Sequence, residues 1–158
     1  MDKNTIFKKK YDEVLLMWSV LARSNCGKVD TFVQRLKSQK IQYLAQLFGV
    51  SPVYVFNLYL RGPYSPDLAH DLYQLKERNI TPVKAKFVPE ELESRFAELE
   101  KFLKDKYDIR QLEIITSLHW LLKVLKMPKQ PAQGKLEQWK AVTQSEFDTA
   151  LLAVKLIP

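Results

Sequence analysis

The chain has a single cysteine in 158 residues, Cys26. One thiol excludes an intrachain disulfide and a thiolate metal cluster. Its setting, Ser24-Asn25-Cys26-Gly27, reads as a loop holding an ordinary, unactivated thiol. Histidine is nearly as scarce: His70 and His119 stand at no metal-ligand spacing and join no Cys or Ser in a nucleophilic arrangement. The four glycines form neither a GxGxxG nor a Walker loop, and there is no HExxH. The sequence therefore offers no catalytic constellation, and no metal or cofactor is expected. Long hydrophobic runs are also missing. The run from Val14 to Ala22 is interrupted by Ser19 and falls short of the ~20 apolar residues of a membrane span. The opening MDKNTIFKKK is basic but leads into no small-residue cleavage site, so a cytoplasmic protein without membrane association is expected.

What is present suits one globular domain over 1–158, with 46% hydrophobic and 27% charged residues. The charge is lopsided. Residues 1–88 hold fourteen Lys/Arg against seven Asp/Glu, whereas residues 89–158 hold eleven of each. The whole excess of +7 thus lies in the first half, which points to a polyanionic partner such as nucleic acid.

Hydrophobic spacing predicts a mainly α fold with a minor sheet of two or three strands. Tyr11 to Arg23 is apolar nearly all round, the mark of a central helix or one covered by a partner. Asp30 is a plausible cap for a helix through Phe48, with Gly49 as its stop. The spacing then falls to two in PVYVFNLYLRGPYS, predicting a strand that ends in a turn at Arg61-Gly62-Pro63-Tyr64. Ser65 and Pro66 open a helix to about Arg78. Val83, Ala85 and Phe87 alternate with Lys84 and Lys86, predicting a short edge strand. Helices follow over Pro89 to Lys106 and Ile109 to Lys126. A loop is predicted from Met127 to Gly134, then a last helix over Lys135 to Ile157 with a break near Thr143. The first 88 residues form a basic helix-helix-strand-helix-strand part and the rest a charge-neutral helical part. Winged-helix modules also combine a few helices with a small sheet, although a helix between the two strands does not give their usual topology.

RLKSQKIQYLAQLFG followed by YVFNLYLRGPYSPDLAHDLYQL resembles the small uncharacterised YwgA-like proteins of bacteria and archaea. Those are in turn similar to the Panacea domain of SocA-like antitoxins. Their pattern is a helix reading approximately Leu-Gln-Lys-hydrophobic-x-Tyr-Leu, then a strand, a Tyr-Gly-Pro-Tyr-Ser turn and a helix. Gln39, Lys40, Ile41, Tyr43 and Leu44 match the first part; Gly62, Pro63, Tyr64, Ser65 and Leu68 match the second. Ser38 and Arg61 depart from it, and LEIITSLHWLL is similar to a helix these proteins carry further on. The resemblance spans roughly residues 10–125. It implies a protein that acts by binding, either as an antitoxin-like partner or as a winged-helix regulator.

Lys40 is the residue that least fits its surroundings. At about 100° per residue it lies about 40° from Leu36, inside the apolar arc with Tyr43 and Leu47. A buried ammonium has to snorkel, pair or lose its proton. One reading ties it to a carboxylate (Asp67, Asp71 or Glu113); the other has it contact an anion or a partner in a cleft. Glu113 sits at the edge of its own helix's apolar arc, and His119 is placed toward solvent. Gly62, Pro63, Tyr64 and Ser65 are read as shaping, packing and capping the turn, with Arg61 beside it. A nucleic-acid or partner surface is assembled from Arg35, Lys37, Gln39, Gln42, Arg61, Lys84 and Lys86, with Lys8, Lys9 and Lys10 as further basic positions.

Three functions follow, in this order of expectation. The first is a DNA-binding transcriptional regulator, marked by a continuous basic face. The second is a protein-interaction module or homodimer, marked by an exposed apolar patch. The third is an enzyme with polar groups converging on a pocket near Lys40 or Arg61.

Overall fold

In the computed structural model, which describes residues 6–158, seven α-helices and one two-stranded sheet occur among the described residues. Met1 to Thr5, the first half of the basic opening segment, lie outside them. The elements are α1 (Tyr11–Arg23), α2 (Phe32–Leu47), β1 (Asn57–Tyr59), β2 (Gly62–Tyr64), α3 (Pro66–Glu77), α4 (Glu90–Leu103), α5 (Ile109–His119), α6 (Lys129–Lys140) and α7 (Gln144–Lys155). A π-helical turn, Trp120–Val124, continues α5. The mainly α class with a minor sheet is what the spacing predicts. None of the helices is long and apolar enough to cross a membrane.

Local chemistry sets most of the helix ends. Thr31 Oγ1 accepts from Gln34 N at 3.1 Å while Gln34 Oε1 accepts from Thr31 N at 3.1 Å, a reciprocal cap at the start of α2. Asp108 with Gln111 and Thr143 with Glu146 repeat it for α5 and α7. Gly49, at φ +73°, stops α2: its N–H reaches Gln46 O and Val50 N reaches Ala45 O, both at 3.0 Å. Ser65 caps α3, with Pro66 in its first position.

α5 is the central helix. All eight residues from Leu112 to His119 are buried, and the helix packs on α2, α6, α7 and β2. One contiguous apolar cluster draws on both halves of the chain, from Phe7 and Val14 to Ala153 and Val154. α1 is less enclosed than its composition predicts, since Leu15 and Leu16 are only half-buried.

Five expectations need correction. The turn of the hairpin is Leu60-Arg61, and Gly62 and Pro63 belong to the second strand, in the register Tyr59↔Gly62 and Leu58↔Pro63. No helix separates the two strands. Residues 81–87 form no strand: they alternate in character, but no neighbouring strand lies beside them to complete a ladder. Met127 to Gly134 is mostly helix, because Pro131 falls in the first turn of α6, where its missing N–H is not needed. His119 is buried rather than wet, with 5% of its surface exposed, because α5 has no solvent face at that end.

His119 Nδ1 and the Tyr43 hydroxyl share a hydrogen bond at 2.7 Å, and burial lowers the imidazole's pKa to about 4. A histidine held neutral stabilises the fold above its unfolded pKa of about 6.5, and that contribution is lost as pH falls toward 4. The ion-paired Glu93 and Glu146, held near 2 by Arg23 and Arg110, lose their contribution from about pH 4.5 downward, in the wild type and in a His119 variant alike. Urea denaturation is expected to show a loss of up to about 3 kcal/mol between pH 6.5 and 4 in the wild type. The loss should be clearly smaller in His119→Gln; an equal loss in both proteins contradicts this role.

Candidate functional site

The site grows from α2, whose polar residues turn inward. Gln39 Nε2 donates to Ser65 O and its Oε1 accepts from Ser65 N, both at 2.9 Å. One turn on, Gln42 Nε2 donates to Pro52 O at 2.9 Å and its Oε1 accepts from Ser51 Oγ at 2.8 Å. A further turn on, Gln46 brackets Tyr54, donating to its carbonyl at 3.1 Å and accepting from its N–H at 2.8 Å. Together they pin the extended chain that carries the hairpin. Tyr54 OH continues to Asp71 at 2.8 Å, where Asp71 also accepts the backbone N–H groups of Lys8 (2.6 Å) and Lys9 (3.2 Å).

Lys40 lies beneath the hairpin, fully buried. Its Nζ donates to Pro63 O at 2.7 Å. No carboxylate bonds to it: Asp71 is occupied elsewhere, Asp67 is exposed, and Glu113 pairs with Lys140, Oε2 to Nζ at 3.6 Å. Lys140 Nζ in turn donates to Leu60 O at 3.0 Å. Two lysines from two helices thus hold two carbonyls of one hairpin. The carboxylate tie expected for Lys40 is not formed: its partner is a carbonyl, and Glu113 acts on it only through its field. Burial lowers the Lys40 pKa to about 7; Glu113 opposes that shift and Lys140 adds to it. Lys140 is also lowered, by burial first, with Glu113 opposing. Glu113 Oε1 and Ser117 Oγ have no protein hydrogen-bond partner among the described residues. Gly62 is required over this cluster: at φ +93°, a Cβ there would lie 2.7 Å from Ser117 Oγ and 3.2 Å from Lys40 Nζ.

Above Lys40 opens a groove of about 650 Å³. Leu36, Gln39 and Lys40 are its buried floor; α2, the hairpin tip and α3 are its walls. The apolar lining is partly exposed at Phe32 (56%), Leu60 (78%) and Tyr73 (58%). Arg35, Arg61 and Lys76 also line it, and no Asp or Glu does. The Arg61 guanidinium stands 5.6 Å from the Phe32 ring, and Lys76 shares its charge with Asp30 at 3.7 Å.

The residues expected to form one recognition surface are dispersed. Gln39 (2% exposed) and Gln42 (0%) are interior, their amides committed to the backbone, so they do not belong to an exposed polar face. Arg35 and Arg61 border the groove; Lys37 and Lys84 line a second cleft that shares no residue with it. Lys86 is exposed near Glu93. Tyr43 is core, against Phe56 at 5.3 Å between ring centroids; Tyr64 stacks edge-on with Tyr59 at 5.4 Å. Sequence reasoning missed Lys140, Tyr73 and Leu60. Only Leu60 carried a local signal, an apolar residue at the tip of a turn. No group of three or more His, Cys, Asp or Glu among the described residues is arranged to hold a metal ion. No family model matches the chain, and no curated protein or solved structure matches it either.

Lys40 supplies a sign test of this geometry. A lysine whose folded pKa is depressed binds fewer protons than the unfolded chain between about pH 7 and 10.5, so stability rises with pH there. From pH 7 to 8, below the ordinary Cys26 value of about 9, the rise due to Lys40 is at most about 1.4 kcal/mol per pH unit. The stability difference between wild type and Lys40→Met, measured by urea denaturation, is expected to widen across that interval. A constant difference contradicts the depressed lysine.

Proposed function

We propose that this protein is an interaction module that receives an acidic amphipathic helix of a partner protein in the groove above Lys40. The carrying observation is the lining itself: apolar and aromatic walls, three exposed cations (Arg35, Arg61 and Lys76) and no carboxylate. A helix presents apolar anchors at three- and four-residue steps, and a groove between two helices accepts such a face. The exposed Phe32, Leu60 and Tyr73 are the natural contacts, since clustered exposed apolar surface is characteristic of binding sites. Arg35 and Arg61 select acidic flanks over basic ones. The resemblance to YwgA-like proteins, themselves similar to SocA-like antitoxins that act by binding, supports the same reading.

A DNA-binding regulator stands second. It calls for a continuous basic face, whereas Arg35 and Arg61 flank apolar walls and Gln39 and Gln42 are interior. Catalysis stands third. Lys40 has a near-neutral pKa, but its ammonium is enclosed under the hairpin with no surface for a substrate.

The test uses two labelled synthetic amphipathic helices with one shared apolar face, flanked by Glu in one and by Lys in the other, with duplex DNA as comparison. Fluorescence anisotropy is expected to give saturable binding of the acidic peptide alone. Leu60→Asp and Tyr73→Asp, both at exposed positions, should weaken it at least about tenfold. Equal binding of both peptides, insensitivity to both variants, or tighter binding of DNA contradicts the reading.

A further inference from the structure

The second cleft lies on the other side of α2. Gln34 and Lys37 are turned roughly half a circle from Leu36 and Gln39, so they meet different parts of the chain. Those parts are the loop leaving α1 and the segment around Pro82. Gly27 lets the loop fold closely back on α1, since a Cβ there would lie 3.2 Å from Ala22 Cα and Cβ; Pro82 Cγ, at 3.5 Å from that position, is the neighbour on the other side.

The cleft so formed is about 340 Å³, lined by Lys28, Lys37 and Lys84 together with Asn25 and Gln34. No Asp or Glu lines it, and none of the three lysines forms an ion pair with another described residue. Three ammonium groups around one concavity repel one another, and a compact anion of charge −2 or more relieves all three repulsions at once. A single carboxylate neutralises only one. Lysine, a compact point charge with three donors, suits phosphate oxygens. The Asn25 and Gln34 side chains add neutral amide groups at the wall. Cys26 is buried at the same place, its thiol pushed up to about 11 by burial with Lys37 pulling the other way, so it contributes no competing thiolate.

We propose that this cleft is a binding site for a compact phosphate-bearing ligand, held by Lys28, Lys37 and Lys84. It is independent of the groove, since the two share no residue. The cleft favours a discrete group of two or three phosphates over a long backbone. Of the other basic groups that would extend a track, Arg35 and Arg61 face the groove, and Lys86 lies near the Glu93 carboxylate.

Calorimetric titration with inorganic tripolyphosphate at low salt tests the site. One saturable equivalent is expected, weakening steeply as salt rises and at least about tenfold in Lys84→Met. Lys84 is exposed in a segment without regular structure, so that variant should keep its fold, and an unchanged thermal midpoint checks this. The double variant Lys37→Met/Lys84→Met should abolish binding, whereas Lys129→Met, exposed elsewhere, should not alter it. The source of the phosphate is resolved by competition with a single-stranded oligonucleotide, with and without a 5′-phosphate. Displacement by the phosphorylated form alone assigns a nucleic-acid end, and displacement by neither assigns a free oligophosphate. Absence of binding at low salt, insensitivity to both lysine variants, or equal displacement by both oligonucleotides overturns the site.

Discussion

The chain from residue 51 to residue 65 is answered by side chains, and the rest of the site depends on that. It has three paired positions of its own, in the hairpin, so most of its backbone polar groups need other partners. Gln39, Gln42 and Gln46 bond to Ser65, Pro52 and Tyr54, while Lys40 and Lys140 take the carbonyls of Pro63 and Leu60. Leaving such groups unpaired in the interior costs about 1–3 kcal/mol each. The polar residues of α2 are therefore structural first. They fix the height of the hairpin above α2, and the hairpin tip is one wall of the groove.

The cluster of Lys40, Glu113 and Lys140 belongs to the same arrangement. An isolated buried ammonium is costly. Here the cost is lowered in two ways: the Lys40 pKa is near 7, and one carboxylate lies between two lysines. Gly62 leaves room for this, and β2 packs directly on α5. The position is legible as an anomaly in sequence, a lysine inside an apolar arc, but its partners are not. Lys140 lies 100 residues beyond Lys40 on a helix whose first turn the Pro-rich composition disguises as loop.

The parts of the fold that were legible are those decided locally. Gly49, and Ser65 with Pro66, each fix a helix end through neighbours within a few residues, whereas the cap of α2 falls on Thr31, one residue after the Asp30 that the sequence suggests. The parts that were not legible depend on what lies opposite. Val83, Ala85 and Phe87 alternate like a strand but have no strand to pair with. A helical wheel assigns His119 a wet face, yet α5 is enclosed by α2, α6, α7 and the hairpin. The glutamines of α2 look like a recognition face because amides suit base edges and buried backbone equally well. Of the candidate site, Lys40, Arg35 and Arg61 were visible in sequence, whereas the aromatic wall at Tyr73 was not.

The claim that α2 side chains hold the hairpin is most directly tested by native-state amide hydrogen exchange in wild type and Gln39→Met. The substitution keeps the length of the side chain and removes both bonds to Ser65. The account predicts that protection of the Ser65 amide falls at least about tenfold, one bond's worth by the usual conversion, while the amides of α5 keep theirs. Unchanged protection at Ser65 would contradict it.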